Sequence, residues 1–472
     1  MMKVVLPKVL ILSMAICLVN FLCFAQKKNF KTSPNIIIVL ADDLGYNDVS
    51  FNGSTEIPTP NIDRIANNGV KFTNGYVSYA VCGPSRAGLI TGRYQGRFGF
   101  SRNPLFAPND PNQGLPLSEE TMASTLGRAG YKSLALGKWH LGAHESQRPL
   151  KRGFTEFYGF LTGGHYYFPE DLTLNDISEI ESQYAAYRTK LLRNDSRVDE
   201  KEYLTDAFSR EAVDFIGRNK DNPFFIYLAY NAPHTPLQAT EKYLSRFDHI
   251  TDKKRKTYAA MVNAVDDGVG RVLDKLEELG ISENTLVFFL SDNGGPEPHN
   301  ASDNGALRGT KGSLWEGGIR VPFAVQWPGT IPASQVYDHP IISLDIFATA
   351  AELANVKPKN KLDGVNLVPY LTGKEKGEPH KSLEWRMYDR KAYAIRKGDY
   401  KLVNVDGEKE MLFNITNDIG ESTPLEEGKT AIAMLKSFNN WLSMLMDPVF
   451  LGLKDDSKYN ELHPDRFDLE KY

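Results

Sequence analysis

A chain of 472 residues with 41% hydrophobic, 24% charged and 11% aromatic side chains has the usage of a folded protein with a sizeable core. That composition excludes disordered, collagen-like and coiled-coil classes. The 55 basic and 59 acidic residues leave a net charge of −4, so no basic excess exists to hold a nucleic-acid backbone. Only Cys17, Cys23 and Cys82 occur, too few for a disulfide framework.

The chain opens with Lys3 and Lys8, an apolar run over residues 9–24, and then Ala25-Gln26-Lys27-Lys28. A charged start, an apolar middle and a small residue at the cut read as a signal peptide over residues 1–25. The expected location is periplasmic, secreted or at the cell surface. A retained anchor is the alternative, although the run falls short of the roughly 20 apolar residues that span a bilayer. A lipoprotein form is a second alternative, with Leu22 before Cys23 and Ile16 before Cys17 as poor neighbours for it. No other segment is long and apolar enough to form a stable membrane span. Cleavage leaves Cys82 as the single thiol.

Residues 35–41 form a β-branched run that reads as a strand buried on both faces, ending abruptly in Asp42-Asp43. Similar runs cover 132–136, 223–229 and 285–290. Helical patterns cover 61–68, 119–128 and 254–279, each stopped by a glycine. Alternating strands and helices predict an α/β fold with a large, mostly parallel sheet flanked by helices, in which reactive groups gather beyond the carboxyl ends of the strands. This catalytic domain is expected over residues 26–361. Beyond it, strand-like pieces at 391–396, 400–405 and 410–414 and a helix near 429–445 predict a small C-terminal antiparallel sheet with one helix, over 362–472. The polar tail from Asp455 either wraps the surface or moves freely.

Two acidic pairs follow apolar strands: Asp42-Asp43 and Asp292-Asn293. Three carboxylates and an amide converging at neighbouring strand ends suit a hard, oxygen-bound cation, while each pair taken singly reads more readily as a cap or turn, and only the two together balance the readings. Cys82 lies in Val81-Cys82-Gly83-Pro84-Ser85-Arg86, ahead of a helix-like stretch that closes at Gly92. A helix start and an arginine give a cysteine the electropositive setting that favours thiolate; a buried inert cysteine is the plain alternative.

Cys82-Gly83-Pro84-Ser85-Arg86 resembles the recognition sequence of the type I sulfatase family, an alkaline phosphatase-like group in which the cysteine is oxidised to formylglycine. The resemblance continues in family order through Ala41-Asp42-Asp43-Leu44-Gly45-Tyr46, Thr59-Pro60-Asn61-Ile62-Asp63, Gly137-Lys138-Trp139-His140-Leu141-Gly142, Ala232-Pro233-His234-Thr235-Pro236, Ser291-Asp292-Asn293-Gly294, Gly309-Thr310-Lys311 and Trp315-Glu316-Gly317-Gly318. It implies that Asp42, Asp43, Asp292 and Asn293, with the modified Cys82, hold Ca²⁺, with Mg²⁺ as the alternative ion. It further implies that Arg86 orients the hydrated aldehyde, that Lys138 and Lys311 bind sulfate oxygens, that His140 contacts the hydrate and helps break down the intermediate, and that His234 serves the leaving group. Such an enzyme needs a formylglycine-generating or anaerobic sulfatase-maturating enzyme as partner.

The activity so implied is hydrolysis of sulfate esters. One hydroxyl of the hydrate attacks sulfur while an acid near neutral pKa, such as His234, protonates the departing alcohol; the second hydroxyl then expels sulfate. The expected substrate is a sulfated oligo- or polysaccharide, either algal, such as ulvan or carrageenan, or a glycosaminoglycan fragment. The loop Thr162-Gly163-Gly164-His165-Tyr166-Tyr167-Phe168 has the composition of a sugar-stacking surface or, as readily, of a packed loop anchor; His165 is taken as a substrate-binding candidate. His299 and Trp385-Arg386 are candidates for the pocket rim. A phosphoester or phosphonate monoester hydrolase on the same scaffold is the competing reading, although the second ligand set of two-metal phosphatases is not apparent around Asp292.

Overall fold

The run Ile36-Ile37-Ile38-Val39-Leu40 within strand Asn35–Ala41 (β1) is buried because it feeds two cores. Ile36, Ile38 and Leu40 pack in one hydrophobic cluster and Ile37 and Val39 in the other. The computed structural model describes residues 33–426 and 428–467, so the expected signal peptide lies outside the described residues.

The main sheet continues with Gly69–Phe72 (β2), Lys132–Lys138 (β3), Glu156–Phe160 (β4), Leu191–Arg193 (β5), Ser196–Val198 (β6), Phe224–Ala229 (β7), Thr285–Ser291 (β8), Phe323–Gln326 (β9) and Gln335–Tyr337 (β10). Its ten strands run in the order β10-β2-β9-β8-β1-β7-β3-β4-β5-β6. The central strands β8, β1, β7, β3 and β4 are all parallel to one another, and β9, β5 and β6 add antiparallel pairings at the two sides. The expected mostly parallel sheet is therefore mixed at its margins.

Helices Pro60–Asn67 (α1), Leu204–Asn219 (α4) and Lys253–Glu278 (α5) cover one face, contributing Ile62, Phe208 and Val265 to its cluster. Helices Cys82–Thr91 (α2), Met122–Arg128 (α3) and Asp345–Leu353 (α6) cover the other with Leu89, Leu126 and Phe347. Leu367 and Leu371 also belong to this second cluster. The small sheet follows, as β11 (Leu383–Met387), β12 (Ala392–Lys397), β13 (Tyr400–Asn404) and β14 (Met411–Asn414), antiparallel in chain order. Helix α7 (Lys429–Leu442) packs on it through Met434, Phe438 and Trp441. The tail forms α8 (Asp456–Leu462) and wraps the surface: Tyr459 packs on Leu105 and Ala107, and Arg466 donates to the Phe106 carbonyl at 2.9 Å.

A buried charge network ties the small sheet to the segments at Tyr76 and Glu316 of the main body. Lys401 Nζ lies 2.9 Å from Glu316 Oε1 and 2.8 Å from Glu421 Oε1, and all three side chains are fully buried. Tyr76 donates its hydroxyl to Glu316 at 2.6 Å. Removing one member of such a network strands the others without compensation. Lys401→Met is expected to cost roughly 3–5 kcal/mol, read as a lowered urea midpoint with an unchanged transition slope.

Candidate active site

β1 and β8 run in register with Ala41 opposite Ser291, so the chain leaves both strands side by side and delivers Asp42-Asp43 and Asp292-Asn293 to one place. The Asp292 amide donates to the Ala41 carbonyl at 3.1 Å and the Asp43 amide to Asp292 Oδ1 at 3.2 Å. Asp43 sits at φ 67°, left-handed backbone that is uncommon for a residue with a side chain and clusters at functional turns. Asn293 donates its amide to Asp43 Oδ1 at 2.7 Å.

Helix α2 begins at Cys82 itself, and all ten of its residues are buried. Asn103 Oδ1 accepts from the Gly83 amide at 2.8 Å, satisfying one of the open N–H groups at this helix start. One turn on, Arg86 donates from Nε to Asp292 Oδ2 at 2.9 Å and from Nη1 to the Lys138 carbonyl at 3.1 Å. Lys138 ends β3, with Nζ 2.7 Å from Asp42 Oδ2. Lys311 enters from the loop beyond β8, with Nζ 2.8 Å from Asp43 Oδ2 and 3.1 Å from Cys82 Sγ. Cys82 Sγ is 3.6 Å from Asp42 Oδ1. Strand ends, one helix start and one loop thus bring Asp42, Asp43, Cys82, Arg86, Lys138, Asp292, Asn293 and Lys311 together.

Asp42, Asp43, Cys82 and Asp292 each offer a ligand atom, all within 4.8 Å of one another. Asn293 Oδ1 is buried beside them without a hydrogen-bond partner. A buried amide oxygen left open next to three buried carboxylates is the donor set a hard cation takes, so these residues fit a metal ion. Burial pushes Asp42 up to about 7, against the pull of Lys138 and with the help of Asp292. Burial also opposes ionisation of Asp43, yet Lys311, His234 and Lys138 hold that carboxyl below its ordinary range.

Cys82 departs from the expected electropositive activation. Burial pushes its thiol up to about 12, outweighing the attraction of Lys138 and Lys311. The two histidines are likewise governed by burial. His140 is held well below its ordinary value by burial, Lys138 and Arg86, and both its ring nitrogens are buried without partners. His234 lies between two cis prolines, with Nε2 3.6 Å from Asp43 Oδ2 and Nδ1 2.6 Å from the Thr235 carbonyl. Burial lowers it to about 3, opposed by Asp43 and aided by Lys138 and Lys311.

His165 is not brought into this cluster. It is buried, stacked on Phe160 at 4.5 Å, with Nδ1 3.0 Å from the Tyr166 carbonyl. Its loop serves the site differently: Tyr167 donates its hydroxyl to the carbonyls of Asn231 and His234 at 2.6 and 2.7 Å, anchoring the histidine loop. Trp385 is a core residue, donating Nε1 to the Val77 carbonyl at 2.7 Å, and His299 is exposed. Residues not anticipated are Asn103 and Tyr187, which lies within electrostatic reach of Cys82, Lys311 and Asp42, whereas Gly163 belongs to the loop already singled out. A Cβ at Gly163 would stand 2.7 Å from His140 Nε2. Gly163→Ala is therefore expected to displace the ring and lower kcat roughly 10- to 100-fold with little change in thermal midpoint, a comparison of steady-state kinetics and calorimetry on the same preparation.

Fold and site define an alkaline phosphatase-like ester hydrolase. The sulfatase family model matches residues 34–356, and the model of the N-sulphoglucosamine sulphohydrolase C-terminal region matches 310–446. An uncharacterized sulfatase of Escherichia coli, YdeN, is 34% identical over 75% of this chain and 69% of its own. Human N-acetylgalactosamine-6-sulfatase is 34% identical over 80% and 71%. The crystal structure of Ps i-CgsB in complex with k-i-k-neocarrahexaose superposes with a TM-score of 0.84 at 39% identity, covering 92% of this chain and all of that one. The chain belongs to the sulfatase family. It is a sulfuric ester hydrolase, and the competing phosphoester reading gives way to this.

Proposed function

We propose that the protein removes sulfate from a sulfated carbohydrate, using a formylglycine made from Cys82 together with bound Ca²⁺, after export to the periplasm, cell surface or medium. The observation that carries this reading is the meeting of Lys311, Asp42 and Cys82 Sγ where three buried carboxylates converge. The carbohydrate is supported by Ps i-CgsB, described with a neocarrahexaose, and by the relative named for N-acetylgalactosamine 6-sulfate; carrageenan and glycosaminoglycan fragments are the first substrates to try. Among the described residues no helix is long and apolar enough to cross a membrane.

Asp42, Asp43, Asp292 and Asn293 would hold the ion, with Mg²⁺ as the alternative to Ca²⁺. When bound it neutralises charge on the sulfate and makes a hydroxyl at position 82 more acidic. Conversion of Cys82 supplies, as the hydrate, one hydroxyl to attack sulfur and a second to expel sulfate. Lys138 and Lys311 neutralise sulfate oxygens, Arg86 fixes the helix start against Asp292, and His140 and His234 handle protons on the two sides of the reaction. Cys82 is only 2% exposed, so the maturating enzyme has to act before the fold closes over it.

Sulfate release from a panel of carrageenan and glycosaminoglycan oligosaccharides, read with the mass of the Cys82 peptide, tests the reading. Phosphate esters cleaved far faster than every sulfated sugar would overturn it. Chelation is expected to abolish turnover and lower the thermal midpoint, and Ca²⁺ to restore both, because an ion at 100 times its Kd stabilises the fold by about 2.7 kcal/mol. Activity and midpoint indifferent to chelation would remove the ion from the reading.

A further inference from the structure

A cavity of about 160 Å³ adjoins the Cys82 cluster, bounded by the large unit, the small sheet and the C-terminal segment. Val81 and Gly312 line it, and these directly precede Cys82 and follow Lys311 in the chain, so the cavity shares a wall with the active site. Its charged lining is Arg102, Asp389, Arg390 and Lys454. Arg102 is already compensated, 2.6 Å from Asp389 and 4.0 Å from Asp455. Arg390 and Lys454 are exposed, and among the described residues no carboxylate pairs with either.

Two cations without a carboxylate partner make the wall of one small cavity electropositive, a setting that favours an anion. A guanidinium offers paired N–H groups to two oxygens of a sulfate, and a lysine adds a mobile point charge. We infer that this cavity binds a second sulfate of the substrate, one that is not cleaved, so that the preferred substrate is a glycan sulfated on neighbouring sugars. The inference rests on the reading of the protein as a carbohydrate sulfatase. Lys311 and the ion neutralise the sulfate that leaves; Arg390 and Lys454 hold the one that stays and thereby fix which ester reaches position 82.

The test uses the matured full-length enzyme and paired oligosaccharides of galactan and glycosaminoglycan type, one member of each pair carrying a second sulfate on the adjoining sugar. The parent enzyme is expected to favour the doubly sulfated member, and Arg390→Ala/Lys454→Ala to reduce that preference in kcat/KM about tenfold or more, mostly through KM. Arg390→Lys/Lys454→Arg, which keeps both charges, is expected to retain most of the preference. A preference unchanged by the alanine pair, or one absent from the parent, overturns the second-sulfate site while leaving the carbohydrate reading intact. Turnover of no sulfated sugar in either form overturns both.

Discussion

Cys82→Ala and Cys82→Ser are expected to lower kcat by about 10⁴-fold or more while keeping the thermal midpoint within about 4 °C of the parent's. Both side chains are close to cysteine in size, and α2 keeps its other contacts, Arg86 to Asp292 and the Gly83 amide to Asn103. The two variants fail for different reasons. Alanine has no nucleophile. Serine has a single hydroxyl, which can accept a sulfuryl group once and then lacks the second hydroxyl needed to expel it. The serine variant is therefore expected to give at most one turnover, seen as a sulfated peptide by mass. The unmodified thiol is an equally poor substitute: burial holds it well above the usual thiol range, so little of it is thiolate at neutral pH. A preparation left unconverted should behave like the alanine variant. Full activity in any of these three forms would exclude formylglycine at position 82.

The strands that carry the site were the most legible part of the chain. β1 lies at 35–41 as expected, since an unbroken β-branched run has to be buried on both faces and cannot slip register without exposing one of them. β7 and β8 follow for the same reason, β8 running one residue further to Ser291. The outer strands were not legible: β2 and β9 have four residues each and β5 and β6 three, too short for a pattern to separate from a loop. Helix α4 also escaped, because no side chain caps its start at Tyr203 and no glycine stops it after Asn219. Strand β11 alternates Glu384 and Arg386 with buried neighbours, and its register only makes sense once β12 is beside it.

Within the site, residue types were readable and partners were not. Motif order named Asp42, Lys138 and Lys311, but that Lys138 pairs with Asp42 across 96 residues and Lys311 with Asp43 across 268 is a product of strand order. The loop at 162–168 follows the packed-anchor reading of its composition and not the sugar-platform one. Its aromatic and histidine content suits a sugar platform, yet His165 is spent on Phe160 and Tyr167 on the backbone of the histidine loop. At Cys82 too the plain alternative describes the thiol: cations surround it as expected, but a fully buried thiol loses more to desolvation than they return.

His234→Ala is expected to cost about 10²- to 10⁴-fold in kcat on sugar sulfates and about tenfold or less on activated aryl sulfates. The asymmetry follows from the proton balance at the leaving oxygen. The Thr235 carbonyl 2.6 Å from Nδ1 can only accept, so Nδ1 carries the hydrogen and Nε2 is the free lone pair in the neutral ring. With His234 held at about 3 by burial, Lys138 and Lys311, the ring is neutral until something negative offsets those lysines. A bound sulfate ester does so, favouring the imidazolium that then faces the departing alcohol. A sugar alkoxide is too basic to leave without that proton, whereas an aryl oxide departs unaided, so only the first reaction depends on the ring. Tyr167 keeps the loop anchored through backbone carbonyls that the substitution does not touch, which confines the change to chemistry. Equal losses on both classes of substrate would assign His234 to binding the sulfate rather than to protonating the alcohol.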